Sequence, residues 1–127
     1  MSRIRARGNR DTELRLLSIF REFHISGWRR NARVFGKPDF VFSREKLAVF
    51  VDGCFWHRHR GCRFAYVPKS RLEFWQHKFD SNVTRDKIVT RALRKTGWKV
   101  LRIWECQLRR ANWPKIARRI LQLREAR

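Results

Sequence analysis

Cys54, His59 and Cys62 fall within one nine-residue stretch, and a third cysteine, Cys106, stands far downstream. If these four share an ion, the loop opening at residue 54 must meet the segment just past residue 104. That requirement restricts the topology more than any local propensity does. Three cysteines cannot all pair with one another, and His57 and His59 lie among them, so metal ligation is favoured over a disulfide framework. Three thiolates and one imidazole form an ordinary tetrahedral set for structural zinc. Such a site is closed and leaves no position open for chemistry, and its binding energy is folding energy. On spacing alone His57 fits as well as His59. The bland alternative is free buried cysteines beside exposed histidines.

The flanking sequence suits such a tether. Leu47-Ala48-Val49-Phe50-Val51 reads as a strand that stops at the turn pair Asp52-Gly53, so Cys54 is presented at a strand end. Trp98 to Trp104 alternates as a second strand and ends just before Cys106. Upstream, Asp11 or Thr12 caps a helix on which Leu14, Leu17 and Phe20 recur at helical spacing, with Gly27 ending it. Gly36-Lys37-Pro38 is a turn before the apolar run Asp39–Phe42, and residues 43–46 read as a hairpin connection. Two helices are expected at 71–79 and 83–96, bounded by Asn82 and Gly97. A last helix is capped by Asn112, has Pro114 in its first turn and carries an apolar face of Ile116, Ile120 and Leu123. This order gives one α/β or α+β domain over residues 1–127, with a small mixed sheet and a zinc-like tether. Residues 1–11, polar and basic, read as a loose arm or a segment that orders on binding.

The charge says what the domain meets. A formal +21, from 32 Lys and Arg against 11 Asp and Glu, is spread along the whole chain. Self-repulsion of that size favours an anionic partner, and a polyphosphate answers best because each neutralised phosphate releases counterions. At 43% hydrophobic residues the chain is too apolar for a disordered basic tail. No run of 18 apolar residues exists, and the basic N-terminus lacks a following apolar stretch, so neither a membrane span nor a secretory leader is expected.

Phosphodiester hydrolysis needs a carboxylate-held divalent cation and a base for in-line attack. Pro38-Asp39 opens one strand and Val51-Asp52 closes the next, a loose form of the Pro-Asp…Asp/Glu-x-Lys nuclease arrangement. The lysine is missing, since its place is taken by Cys54. His57 is the replacement base because an imidazole titrates near neutrality. Glu13 and Asp86 are further acidic candidates. Read alone, Pro38-Asp39 is a turn, Glu13 a first-turn helix acid and Asp86 a solvated helix residue. Phe55, Trp56 and Trp75 stand among charged residues and can act as wedges between bases, although Trp75 suits a core equally well. Trp98 and Trp104 read as packing residues.

Taken in order, several segments resemble the very short patch repair (Vsr) family of mismatch endonucleases. They are Met1-Ser2-Arg3-Ile4-Arg5, Gly36 to Phe42, Val49 to Cys62, Glu73-Phe74-Trp75, Asn82 to Asp86 and Gly97 to Cys106. The Gly53-Cys54-Phe55-Trp56-His57 block followed by Trp104-Glu105-Cys106 carries most of the specificity. The resemblance implies a restriction-endonuclease-like core and Mg²⁺-dependent nicking of double-stranded DNA beside the mispaired thymine of a T:G mismatch. It implies a monomer on DNA, in the bacterial cytoplasm at the nucleoid. Asp39 and the carbonyl of Val51 would hold magnesium, and His57 would be the base with Asp86 as its acidic partner. Glu13 would be an active-site acid, and Cys54, His59, Cys62 and Cys106 the zinc ligands. Phe55, Trp56 and Trp75 would wedge into DNA. Where the family pattern has Thr then His, this chain has Val51 then Asp52, and Asp52 is expected to join Asp39 as a direct or water-mediated metal ligand. Gly61 is an insertion that glycine accommodates in a wider turn. The competing readings are a zinc-stabilised DNA-binding protein without catalysis, a sequence-specific nickase of other specificity, and an RNA-binding module.

Overall fold

A computed structural model of the protein describes residues 2–126, with side chains from residue 11 onward. Its centre is β3 (Leu47–Asp52), whose six side chains are all buried. A strand buried on both faces needs a cover on each side, and the flanking helices supply them. Leu47, Val49 and Val51 pack into a core with Leu16, Ile19 and Phe20 of α1 (Ser2–Glu22) and Ile116, Ala117 and Ile120 of α3 (Trp113–Glu125). Ala48 and Phe50 point to the opposite face and meet Val89 and Leu93 of α2 (Leu72–Lys95). The result is a three-layer α/β/α arrangement.

The sheet has the order β1-β2-β3-β4, with β1 (Arg29–Arg30) and β2 (Phe40–Phe42) preceding β3 and β4 (Lys99–Trp104) following α2. β1–β2 and β2–β3 are antiparallel, and β3–β4 is parallel, with Phe50 opposite Arg102 and Asp52 opposite Trp104. The sheet is therefore mixed, as expected. The parallel pairing needs a long crossover, which α2 provides. It also brings the ends of β3 and β4 together, so Cys54 and Cys106 emerge side by side.

Several local expectations are corrected. The segments 71–79 and 83–96 form one helix: no Gly or Pro interrupts it, and the Asn82 side chain is spent on the Trp56 carbonyl at 3.2 Å rather than on a cap. Helix α1 extends back to Ser2 rather than starting at Asp11 or Thr12. Its buried face is Leu16, Ile19 and Phe20, with Leu17 partly covered and Leu14 half exposed. It stops before Gly27, at His24, which takes the left-handed conformation (φ 55°). Ile25 N–H donates to the Phe20 carbonyl at 2.8 Å and His24 N–H to that of Arg21 at 3.4 Å, the paired bonds of a Schellman ending. Asn112 precedes α3 but gives its side chain to the Gln107 carbonyl instead of capping. Gly36 has φ 84°, and a Cβ there would lie 2.3 Å from Val89 Cγ1, so only glycine lets the loop before β2 rest on α2. The expected contacts of the first residues with DNA fall on side chains outside the described residues. Among the described residues, no helix is long and apolar enough to cross a membrane.

Candidate active site and metal cluster

The end of β3 organises two groups of side chains. On the first, Asp39, from the turn before β2, accepts a 2.7 Å hydrogen bond from the Val51 amide through Oδ2. Burial pushes the Asp39 carboxyl up to about 7, helped by the adjacent Glu13 and the charge of Asp52, while the Val51 bond pulls it down. Glu13, on α1, is held by Arg30 of β1 at 2.5 Å. Asp39 thus stands among acids with one cation nearby, already engaged by Glu13. Half-buried hard oxygens lacking a full counter-charge suit a small divalent cation.

On the α2 side, Nδ1–H of His57 donates to Oδ2 of Asp86. This bond leaves Nε2 of the neutral ring as the acceptor. Burial pushes the imidazole down, but the bond to Asp86 and the charges of Asp52 and Asp86 outweigh it, holding His57 above its ordinary pKa. The pair lines a cavity of about 160 Å³ that Lys78 and Arg85 also border, so an anion entering it meets positive charge.

Alternation along β3 sets Asp52 on this same face, opposite Val51. Its carboxylate is expected beside Asp39, yet both oxygens receive Nη1 of Arg102, at 3.0 and 3.2 Å. Burial raises the Asp52 pKa, against the opposing charges of His57 and Arg102. The structure therefore gathers Asp52, His57 and Asp86 within 4.8 Å of one another and places Asp39 with Glu13 and the Val51 amide. The charge of Asp52 reaches both groups.

Cys54, His59, Cys62 and Cys106 converge, their ligand atoms all within 4.8 Å. His59 Nδ1 lies 3.6 Å from Cys54 Sγ and 3.4 Å from Cys106 Sγ. Tetrahedral zinc with ordinary Zn–S and Zn–N bonds would separate sulfur from nitrogen by about 3.6 Å. The two separations match those of a tetrahedral site, and of the two histidines it is His59 that lies with the three thiols. Burial pushes the Cys54 thiol up, so a metal must displace its proton on binding. Trp104, expected only to pack, stacks on the His59 ring at 4.2 Å and 10°.

Phe55, Trp56 and Trp75 do come together, joined by Phe79. Phe55 and Trp75 are buried in this cluster, whereas Trp56 is half-buried and its indole nitrogen is buried without a partner.

Three residues escaped the sequence reading. Arg102 links Asp52 to Asp86. Glu105 Oε1 accepts the Cys54 amide at 2.9 Å and fixes the start of the metal loop. Arg58, which reads as one more phosphate-seeking charge, donates to the carbonyls of Phe55, Ala65 and Tyr66 and lies 4.0 Å over the Phe79 ring. The position of Glu105 beside Cys106 was the available signal for one of them. The other two arginines look like any of the many basic residues.

A family model described as DNA mismatch endonuclease Vsr matches residues 1–63. The DNA mismatch endonuclease Vsr of Escherichia coli is 41% identical over 108 residues, covering 84% of this chain and 69% of that protein. A type II nicking enzyme of Xanthomonas oryzae pv. oryzae is 48% identical over 73 residues, and one of Neisseria meningitidis serogroup A is 43% identical over 95. These matches cover 58% and 74% of this chain. The chain spans about half the length of the Xanthomonas relative (53%) and about two thirds (67%) of the Neisseria one.

Proposed function

The chain belongs to the Vsr family of DNA mismatch endonucleases, and from that membership we propose that it hydrolyses one strand of double-stranded DNA in a Mg²⁺-dependent reaction at or near a T:G mismatch. The observation that carries this reading is the His57–Asp86 pair opening on a basic cavity, at the same strand end that holds the half-buried carboxyl of Asp39. A protein that only bound DNA would gain nothing from acids placed there, since they repel phosphate.

Asp39, with the carbonyl of Val51, would hold the magnesium ion, and Glu13 adds negative charge at that position. When bound, the cation supplies Lewis-acid stabilisation of the charge developing on the phosphate. The remaining work belongs to the side chains. Asp86 holds Nδ1 of His57 and so keeps Nε2 free to take a proton from the attacking water. Lys78 and Arg85 favour entry of the backbone. Zinc, held by Cys54, His59, Cys62 and Cys106, ties the loop after β3 to the end of β4 and takes no part in the chemistry.

Trp56, at the half-buried edge of the aromatic cluster, would wedge into DNA beside the mismatch, where unstacking costs least, with Phe55 and Trp75 packed behind it. One active site suffices for one strand, so the working form is a monomer on a restriction-endonuclease-like core, in the bacterial cytoplasm at the nucleoid. A second reading, a nickase specific for another sequence or mismatch, draws on the relatives whose names describe type II nicking enzymes.

The test is cleavage of otherwise identical T:G, other-mismatch and fully paired duplexes, in Mg²⁺ and in EDTA. Strand nicking of the T:G duplex in Mg²⁺ alone, lost in Asp39→Ala and His57→Ala, is expected. Preferred cutting of another mismatch, or equal cutting of every duplex at one shared sequence, would favour the second reading. Binding without cleavage in any condition would overturn the enzyme.

A further inference from the structure

Arg102 is a half-buried cation in the site with no catalytic role assigned above. Its side chain is 20% exposed and that of Asp52 is 5% exposed. Beyond the two bonds to Asp52, its Nη2 donates to the backbone carbonyl of Asp86 at 3.3 Å, and Nη1 lies 3.6 Å from the Asp86 carboxylate. Its Nε donates to Thr90 Oγ1 at 2.9 Å, and the guanidinium lies 4.2 Å over the Phe50 ring. Every edge of the group is therefore fixed by β3 or by α2. A planar fork can hold several acceptors at once in this way, and a lysine cannot. Asp52, His57 and Asp86 are spaced closely enough to share a metal ion, but the guanidinium of Arg102 already occupies their company.

We propose that Arg102 is a positioning residue of the nicking site, which clamps Asp86 and through it His57, and that Asp52 is its anchoring counter-ion rather than a ligand of the catalytic cation. The idea rests on the nuclease reading above. It explains how this chain tolerates a carboxylate where the family pattern has histidine: the charge of Asp52 is absorbed by a guanidinium reaching from the neighbouring strand. It replaces the expectation that Asp52 joins Asp39 on magnesium. Removing Arg102 would leave Asp52 and Asp86 as neighbouring acids without their shared partner, and Asp86 would lose the contacts that aim it at Nδ1 of His57.

The experiment uses four full-length variants: Arg102→Gln, Arg102→Lys, Asp52→Asn, and the neutral double Asp52→Asn/Arg102→Gln, which strands no charge and guards against loss of folding. Single-turnover nicking is measured across a Mg²⁺ titration, and the His57 ring nitrogens are followed by NMR without DNA. Arg102→Gln and the double variant are expected to lose about 10–100-fold in the maximal single-turnover rate, with the half-saturating concentrations of duplex and of Mg²⁺ little changed. Arg102→Lys recovers only part of the loss. In wild type His57 shows one tautomer, protonated at Nδ1, and in the double variant the two ring nitrogens average.

A double variant with the wild-type rate and wild-type ring signals would overturn the proposal, because Arg102 would then only balance charge. A higher Mg²⁺ requirement in Asp52→Asn would overturn it too, by putting Asp52 on the cation. Failure of the nuclease reading is visible separately, as wild-type protein that leaves every duplex intact, and the ring signals still decide the role of Arg102.

Discussion

Nδ1 of His57 donates to Oδ2 of Asp86, a residue 29 positions away on a different element. The loop after β3 is thereby tied to the middle of α2, and one tautomer of the imidazole is selected. The consequence can be tested with a change of one heavy atom. Asp86→Asn keeps the size of the side chain but lets its amide donate to Nδ1, which moves the ring proton to Nε2. His57 then faces the attacking water with a donor instead of an acceptor. The nicking rate is expected to fall by about 10²–10⁴-fold, with duplex affinity and Mg²⁺ requirement close to wild type. A variant nicking at more than a tenth of the normal rate would show that His57 is not the base.

Asp39 gives the pH dependence of metal-free stability. Its ordinary value of 3.8 is raised to about 7 by burial, by Glu13 on α1 and by Asp52 at the end of β3, with the Val51 amide opposing. A carboxyl raised in the folded state binds its proton more tightly there than in the unfolded chain. Its contribution to stability is therefore greatest below about 4 and is lost as pH rises through about 7. A cation reverses the penalty by favouring the ionised form. The rise in Tm on adding Mg²⁺, measured against EDTA, should be larger at pH 8 than at pH 6, and Asp39→Asn should abolish the difference. Equal increments at both pH values would place the cation elsewhere.

The four-ligand cluster predicts a different kind of loss. The loop from Cys54 to Pro68 has few regular backbone bonds of its own and hangs on Glu105 and Arg58, to which a metal on the four ligands would add a further tie. Purified protein should carry one zinc per chain by elemental analysis. Cys106→Ser should lose it and melt earlier by at least about 10 °C, a few kcal/mol at about 4 °C each for a domain of this size. His57→Ala should keep its zinc, whereas His59→Ala should not. Retention by His59→Ala would reverse the assignment of the two histidines.

What was legible in the sequence was what depends on local pattern. β3 shows as an unbroken Val/Phe-rich run, and Cys106 falls just past an alternating strand, so the approach of Cys106 to the loop after β3 could be foreseen. Asn82 was misread because a capping residue type in mid-helix looks like a boundary until its tertiary acceptor, the Trp56 carbonyl, is known. His24 was missed because a Schellman ending usually recruits glycine, and Gly27 was close at hand. Arg102 and Arg58 could not be singled out in a chain with 32 basic residues. Their roles come from partners supplied by other elements, and only folding reveals those.

Trp56 separates packing from recognition within the aromatic cluster. Phe55 and Trp75 are buried against Phe79, so replacing either by alanine leaves a cavity and should cost about 3–5 kcal/mol, a loss visible without DNA. Trp56 sits at the edge of the cluster, and its indole N–H is buried with no acceptor, an arrangement that costs about 1–3 kcal/mol in the free protein. Trp56→Phe removes that donor and keeps the ring contacts with Phe55 and Trp75, so Tm should stay level or rise. If the indole completes its bonding only when the ring moves onto DNA, the same variant should bind a mismatched duplex more weakly while its affinity for paired duplex changes little. Titration of both duplexes by fluorescence anisotropy measures the two together. A drop in Tm with unchanged discrimination would assign Trp56 to the core with its neighbours.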